Sequence, residues 1–432
     1  MRLMAGVGGG ALAAALSGTA LLAAGCSTAS SGHHATAPSP ASASRPAATA
    51  GAVPPSVSRP PSAPAAPLCP GAAPAGVYTA PGVPIPVPPL AGIEFVSAEQ
   101  GWVAGAGRVL ATSDGGQTWT RRYSGQAKLY QADFIDARHG WAVGTNALLG
   151  TTDGGATWTP LSDPCDAIRS VHFVAPDLGY AVAGGSQVRI DGGVPAPVQG
   201  GELLRTTDGG RAWAPVPGAP AQAQTACFAS AADGFLGTPG KIWRTSDGGR
   251  HWSLTFTEPP SSAGVHPSTP DTTVLECAGD SAAWVLFLGT GAALSHSPYL
   301  AYAIQGARHA RVLFEESYIE SAARPGVHAP EGPGSYPGPV SAISPDTAAF
   351  VGWDPPVGYG AAPVVMVTGG GSSLSRRGMV SGLTRPLAAA FISSSRGWVI
   401  GTDQTQPRQR GDYVIEATAD GGKTWTRQYQ TP

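Results

Sequence analysis

The chain is predicted to be all-β, a closed ring of seven four-stranded antiparallel sheets, and three observations carry that prediction. A motif Thr-x-Asp-Gly-Gly-x-x-Trp occurs five times, at intervals of 39 residues or more. A pair of bulky residues seven positions apart occurs seven times. Residues 90–432 divided by seven leave roughly 49 residues per unit, the size of a four-stranded repeat that cannot bury its apolar face alone. Closing such units radially hides their sheet edges.

The first motif is a hairpin turn followed by an anchor. Its copies centre on Asp114, Asp153, Asp208, Asp247 and Asp420, with the tryptophans Trp119, Trp158, Trp213, Trp252 and Trp425. Asp-Gly favours a tight turn because Gly takes positive φ without a steric cost while the carboxylate accepts turn amides. The Thr hydroxyl joins that local network, and the Trp begins the return strand as a large apolar anchor. These aspartates are read as structural, because a calcium site needs six to eight oxygens and each motif offers one carboxylate and one hydroxyl.

The second motif is a hairpin of its own. The pairs are Phe95 and Trp102, Phe134 and Trp141, Phe173 and Tyr180, Phe228 and Phe235, Cys277 and Trp284, Ile343 and Phe350, and Phe391 and Trp398, usually with Gly before the second member. The constant gap reads as a first strand, a tight turn such as Ser97-Ala98-Glu99-Gln100-Gly101, and a second strand. The fifth and sixth units lack the Asp motif. Their third strands are expected at Tyr299 to Ile304 and Val364 to Val367, with turns near Gly306 and Gly369 to Gly371.

All five Asp motifs match the Ser/Thr-x-Asp-x-Gly-x-x-Trp core of the Asp-box, or BNR, repeat of sialidases and related propellers. More broadly the chain resembles the seven-bladed BNR-type β-propellers that include the photosystem II assembly factor of cyanobacteria and plastids. The resemblance implies that each box lies at the turn between the third and fourth strands of a blade. It implies a binding scaffold outside the cytoplasm, and no photosynthetic role, since fold does not carry function.

Residues 1–25 read as a secretory signal with an apolar, Ala-rich stretch from Ala5 to Ala24. The end, Leu21-Leu22-Ala23-Ala24-Gly25-Cys26, resembles a bacterial lipobox, with Leu one position earlier than the family prefers. It implies an acylated Cys26 holding the protein on the outer face of a bacterial cytoplasmic membrane, since several acyl chains anchor stably where one does not. Residues 26–89 are rich in Ser, Ala and Pro and read as a disordered, semi-rigid tether. His33-His34 within it is incidental.

Net charge is −2 and the isoelectric point about 6.5, so nothing in the balance marks a surface for nucleic acid or anionic membrane. No cofactor or metal is expected, and the protein is expected to be a monomer whose membrane contact is the lipid anchor alone. Besides Cys26, four cysteines in an exported chain favour two disulfides. Of the three possible pairings, the one joining Cys227 with Cys277, which lie on first strands of neighbouring units, is favoured and leaves Cys69 with Cys165.

Insertions fall after second strands and between units, two loop classes that open on the rim opposite the Asp boxes. Tyr318, Tyr336, Trp353 and Tyr359 are the aromatic candidates there for an unknown protein or glycan ligand. The alternative is a sialidase-like secreted glycoside hydrolase. That family needs an arginine triad, a Tyr with a Glu partner and an acid Asp. Four residues before the first anchors stand Ala91, Tyr130, Arg169, Gln224, Thr273, Pro339 and Leu387, a single Arg. Carboxylates at the channel mouth, Glu94, Glu276, Asp354 or Glu416, are the remaining acids for a two-carboxylate mechanism. The expectation is therefore a binding scaffold and not an enzyme.

Overall fold

The computed structural model describes residues 77–78, 87–164, 167–189, 195–260, 272–289, 298–306, 309–316, 327–354, 362–403 and 411–432. All belong to one compact unit, Ala63–Pro432. Cys26, Cys69, Cys165, Tyr318 and Tyr359 lie outside the described residues, as do the signal and most of the tether.

Antiparallel sheets arranged around an axis form a β-propeller, and among the described residues there is no α-helix. Five sheets have four strands each. They comprise Ile168–Phe173 with Gly179–Ala183, Glu202–Thr206 and Ala214–Pro215, then Thr225–Phe228 to Ser253–Thr257, Thr272–Cys277 to His309–Glu316, Val340–Ser344 to Ser373–Met379, and Arg385–Phe391 to Thr426–Gln430. The sixth runs from Gly92–Phe95 through Gly101–Thr112, Thr120–Phe134, Gly140–Thr145 and Ala147–Thr151 to Thr159–Pro160.

This corrects the expected count of seven separate blades to six. The reason lies in backbone continuity. Gly101–Thr112 does not break where its repeat should turn from second to third strand, and Thr120–Phe134 runs unbroken into the next repeat. Pairing of Ala106 with Lys128, and of Lys128 with Thr145, carries one ladder across both repeats, with register shifts at Ala106/Arg108 and Leu129/Gln131 absorbing the bend. The third strands expected in the box-less repeats form at Tyr299–Gln305 and Pro363–Thr368.

The Phe-Gly pairing explains the seven-residue spacing. Phe95 pairs with Gly101, Phe134 with Gly140, Phe173 with Gly179, Phe228 with Gly234 and Phe391 with Gly397. In each case the ring lies over the glycine, where a Cβ would meet it at 2.2 to 2.5 Å. The aromatic that follows the glycine then stacks on the first anchor of the next repeat: Trp102 on Phe134 at 3.7 Å, Trp141 on Phe173 at 3.4 Å and Tyr180 on Phe228 at 3.4 Å. Trp398 stacks on Phe95 at 3.5 Å and closes the circle. The core is thus a ring of buried inter-repeat contacts, not one central cluster.

Two rims result. On one, the box glycine amides Gly115, Gly154, Gly209, Gly248 and Gly421 donate to the first hairpin turns at Glu99, Arg138, Asp177, Ala232 and Ser395. On the other, connectors between repeats meet segments that follow second strands, as where Gly201 bridges Ala223 and Tyr336 bridges Trp353. The insertion hairpin of Ser186–Arg189 and Pro195–Gln199 is extended in parallel by Val77–Tyr78, within the segment read from sequence as tether.

Candidate functional site

The inner strands enclose an axial channel, seen as overlapping cavities of about 570 and 300 Å³. One segment from each of the seven repeats lines it, including Glu94, Gln131, His172, Thr225, Glu276, Ser341 and Ala390. Alternation along a strand puts every second residue on the same face. The residue immediately before each first anchor therefore occupies one level of the wall, and at four repeats it is ionisable: Glu94, Asp133, His172 and Glu276.

Most of this level is used to hold strands together. Asp133 Oδ2 accepts the Phe173 amide at 2.8 Å, and Glu276 Oε2 accepts the Ala342 amide at 2.7 Å. His172 Nε2 donates to the Phe228 carbonyl at 2.7 Å, leaving Nδ1 4.0 Å from Asp133 Oδ1. Gln131 both donates to the Val171 carbonyl at 2.8 Å and accepts its amide at 3.1 Å. Gln224 accepts the Thr273 amide and Ser341 accepts the Phe391 amide. Side chains here do between sheets what main-chain ladders do within them.

Glu94 is different. No hydrogen bond reaches its carboxyl among the described residues, and burial, reinforced by the negative charges of Asp133 and Glu276, raises its pKa well above the ordinary 4.5. Burial also lifts Glu276 to about 7, against the pull of the Ala342 amide. Asp133 is raised by burial, which His172 and the Phe173 amide partly offset. A neutral acid beside ionised ones is a pattern of acid–base sites. Here, however, the neighbours are tied to backbone amides. Among the described residues no group of three or more His, Cys, Asp or Glu is arranged to hold a metal.

The other acids considered from sequence lie apart from the channel and are engaged. Glu416 accepts Arg427 Nε at 2.8 Å, with Asp403 on the same guanidinium at 2.7 Å. Asp354 accepts both the amide and the hydroxyl of Ser335, at 2.7 and 2.9 Å. Asp133 and His172 were missed by sequence reasoning. Their signal was available: the place before the first anchor carries an ionisable residue in the first three repeats and again in the fifth.

The five boxes share one geometry. In each, the Thr hydroxyl donates to Asp Oδ1 at 2.8 to 3.0 Å and accepts the second glycine's amide at 2.8 to 2.9 Å. The amide four residues on donates to the same Asp. These bonds favour the ionised form, and Asp114, Asp153, Asp247 and Asp420 fall to about 2, with Asp208 also lowered. Trp119, Trp158, Trp213 and Trp252 pack edge-on against Phe95, Phe134, Phe173 and Phe228, and Trp425 against Phe391.

Cys227 and Cys277 form a disulfide with Cα atoms 5.6 Å apart. On the loop-bearing rim, Tyr336 is buried, not exposed as a contact residue would be. It packs on Trp353 at 5.0 Å, the two exchange main-chain hydrogen bonds, and Arg385 lies 5.3 Å from the Trp353 ring. This pair orders its own loops.

The family described as photosynthesis system II assembly factor YCF48 matches residues 124–269. No curated protein matches the chain by sequence. Among solved structures, the GH74 enzyme of Niastella koreensis is similar at 10% identity and a TM-score of 0.50, over 82% of this chain and 66% of that one. An ancestral GH74 enzyme is similar at 12% identity and a TM-score of 0.39, over 82% and 63%, and U3-55K at 9% and 0.48, over 76% and 94%. The chain thus spans less than two thirds of the length of the two GH74 structures. At 10% identity the likeness to the Niastella koreensis enzyme speaks for fold alone. The protein is an all-β propeller of four-stranded antiparallel repeats, five of which carry the same Asp-Gly-Gly turn, and it is similar over residues 124–269 to the assembly-factor family.

Proposed function

We propose that this propeller is a non-catalytic binding scaffold, exported and held at the outer face of a bacterial cytoplasmic membrane through lipid on Cys26. It engages a protein or an envelope glycan through the rim opposite the Asp boxes. The contrast between the rims carries this reading. On the box rim the Thr, Asp and Gly groups of each turn bond one another in a repeated network, whereas variable segments gather on the other rim. Tyr318 and Tyr359 remain the contact candidates proposed for that rim.

The test is capture from envelope extract and a glycan array, with Tyr318→Ala and Tyr359→Ala compared against Asp153→Ala on the box rim. Binding lost only in the tyrosine variants supports the reading, and binding lost only in the box variant places the contact on the wrong rim. Replacing Cys26 by Ser should move the protein from the detergent phase to the aqueous phase. The glycoside hydrolase reading draws its support from Glu94, a partnerless carboxyl in a channel. Hydrolysis of a polysaccharide that is abolished in Glu94→Gln would replace the scaffold by an enzyme.

A further inference from the structure

A second cavity, of about 410 Å³, lies between the connector Gly218–Gln222 and the fourth repeat. Trp243 and Trp252 contribute aromatic surface to it. Pro220 and Pro239 stand on its connector and hairpin walls, and Gln222, Thr238 and Lys241 add polar groups. The connector and the turn between Gly234–Thr238 and Lys241–Thr245 belong to the rim assigned to binding above, so the inference rests on that reading and gives it a ligand class.

Trp243 departs from its repeat. Two residues before the box Thr, three other repeats place Leu110, Leu149 and Leu204, all buried. The fourth places a half-buried Trp whose Nε1 donates to Thr238 Oγ1 at 3.1 Å. That bond satisfies the polar edge and fixes the ring before any ligand arrives. Trp252 is likewise held, its Nε1 donating to the Gly249 carbonyl at 3.0 Å and its ring packing edge-on against Phe228. What remains available on both is aromatic surface.

Two of the polar groups at the cleft are free. Lys241 and Gln222 are exposed, and neither side chain makes a hydrogen bond or ion pair among the described residues. Among the described residues no acidic one lines the cavity. Gln222 also holds a positive φ of 65°. Outside glycine that conformation is strained and collects at functional sites. It turns the connector so that Ala223 can bridge Gly201.

We propose that this cleft binds a saccharide carrying an anionic substituent, with a sugar ring against Trp243 and the substituent at Lys241. Rigid aromatic surface with a few convergent polar groups suits a ring that is apolar on its faces and polar at its edge. The unpaired ammonium selects the acidic member of the class.

Titration calorimetry of the propeller with an oligogalacturonate, a neutral cello-oligosaccharide and a proline decapeptide tests this, using wild type, Trp243→Leu, Lys241→Gln and Asp153→Ala. Leu is the residue of the sister repeats, so the first variant should fold, and its thermal midpoint is recorded alongside. The expected result is oligogalacturonate binding that weakens at least tenfold in Trp243→Leu and in Lys241→Gln, is unchanged in Asp153→Ala, and exceeds cello-oligosaccharide binding at least tenfold. No saccharide binding overturns the proposal, while capture from extract by the same rim would leave the broader scaffold reading standing. Saccharide binding unaffected by Trp243→Leu overturns the location. Equal affinity for the neutral sugar, or tighter binding of the proline peptide, overturns the ligand class.

Discussion

The indole Nε1 of Trp398 donates to the carbonyl oxygen of Gly115 at 3.1 Å, across 283 positions of the chain. The same relation recurs locally, from Trp102 to Gly154 and from Trp141 to Gly209, each at 3.0 Å. A second-strand tryptophan thus reads the box turn of the following repeat, and at the last repeat the following one is the first. Ring closure uses the ordinary inter-repeat contact.

Trp398→Ala should therefore act as a break in the circle. It removes the stack on Phe95 and the bond to Gly115 together, and a buried Trp-to-Ala change costs about 3–5 kcal/mol. Chemical denaturation should show a lower midpoint. A loss below about 1 kcal/mol would mean that closure rests elsewhere.

Gly140→Ala tests the spacing of the anchor pair. Its Cβ would lie 2.2 Å from Phe134 Cε1, and relief by moving a stacked ring costs about 1–3 kcal/mol of overpacking. The double variant Gly140→Ala with Phe134→Leu should recover part of that loss, whereas strict additivity would separate the two residues.

Cys277 occupies a first-anchor position that elsewhere holds Phe or Ile, so the junction there lacks a ring stack and carries the bond to Cys227. Cross-linking a loop of this size restrains the unfolded chain by about 2–4 kcal/mol. Cys277→Ser should lower the thermal midpoint, and reductant should lower that of wild type but not of the variant. Labelling of Cys227 and Cys277 without reductant would refute the bridge.

Stability should fall with pH between about 4.5 and about 7 through Glu276. The unfolded carboxyl titrates near 4.5 and the folded one at about 7, so in that window the folded state holds the extra proton. Rising pH removes it and destabilises the fold. Because the side chain is partly solvated in the channel, the effect should be about 1–3 kcal/mol. Glu276→Gln keeps an acceptor for the Ala342 amide and should flatten that slope, raising the midpoint at pH 8 but not at pH 4.

The box aspartates work in the opposite sense. Their folded pKa values near 2 lie below the usual 3.8, so their contribution is present above about pH 4 and is lost as pH falls toward 2. Acid unfolding followed by circular dichroism should shift to higher pH when one of them is replaced by Ala. An unchanged acid midpoint would mean that the box hydrogen bonds do not discriminate the two protonation states.

Local periodicity determined the repeat unit. Turn chemistry at Asp153-Gly154-Gly155, strand alternation and the Phe134-to-Trp141 gap act within a few residues, so they are legible in a single chain. So was the pairing of Cys227 with Cys277, because first strands of adjacent repeats become neighbours once repeats stack and these two residues lie one register position apart on them. Tertiary structure decided what depends on continuity and on facing surfaces. Nothing local announces that Gly101–Thr112 runs on through its turn and joins two repeats in one sheet of six strands. The convergence of Glu94, Asp133, His172 and Glu276 requires the circle to close, and Tyr336 is buried because Trp353, seventeen residues away, folds back on it. Residue type and spacing set each hairpin, whereas burial and charge depend on which hairpins the closed ring brings together.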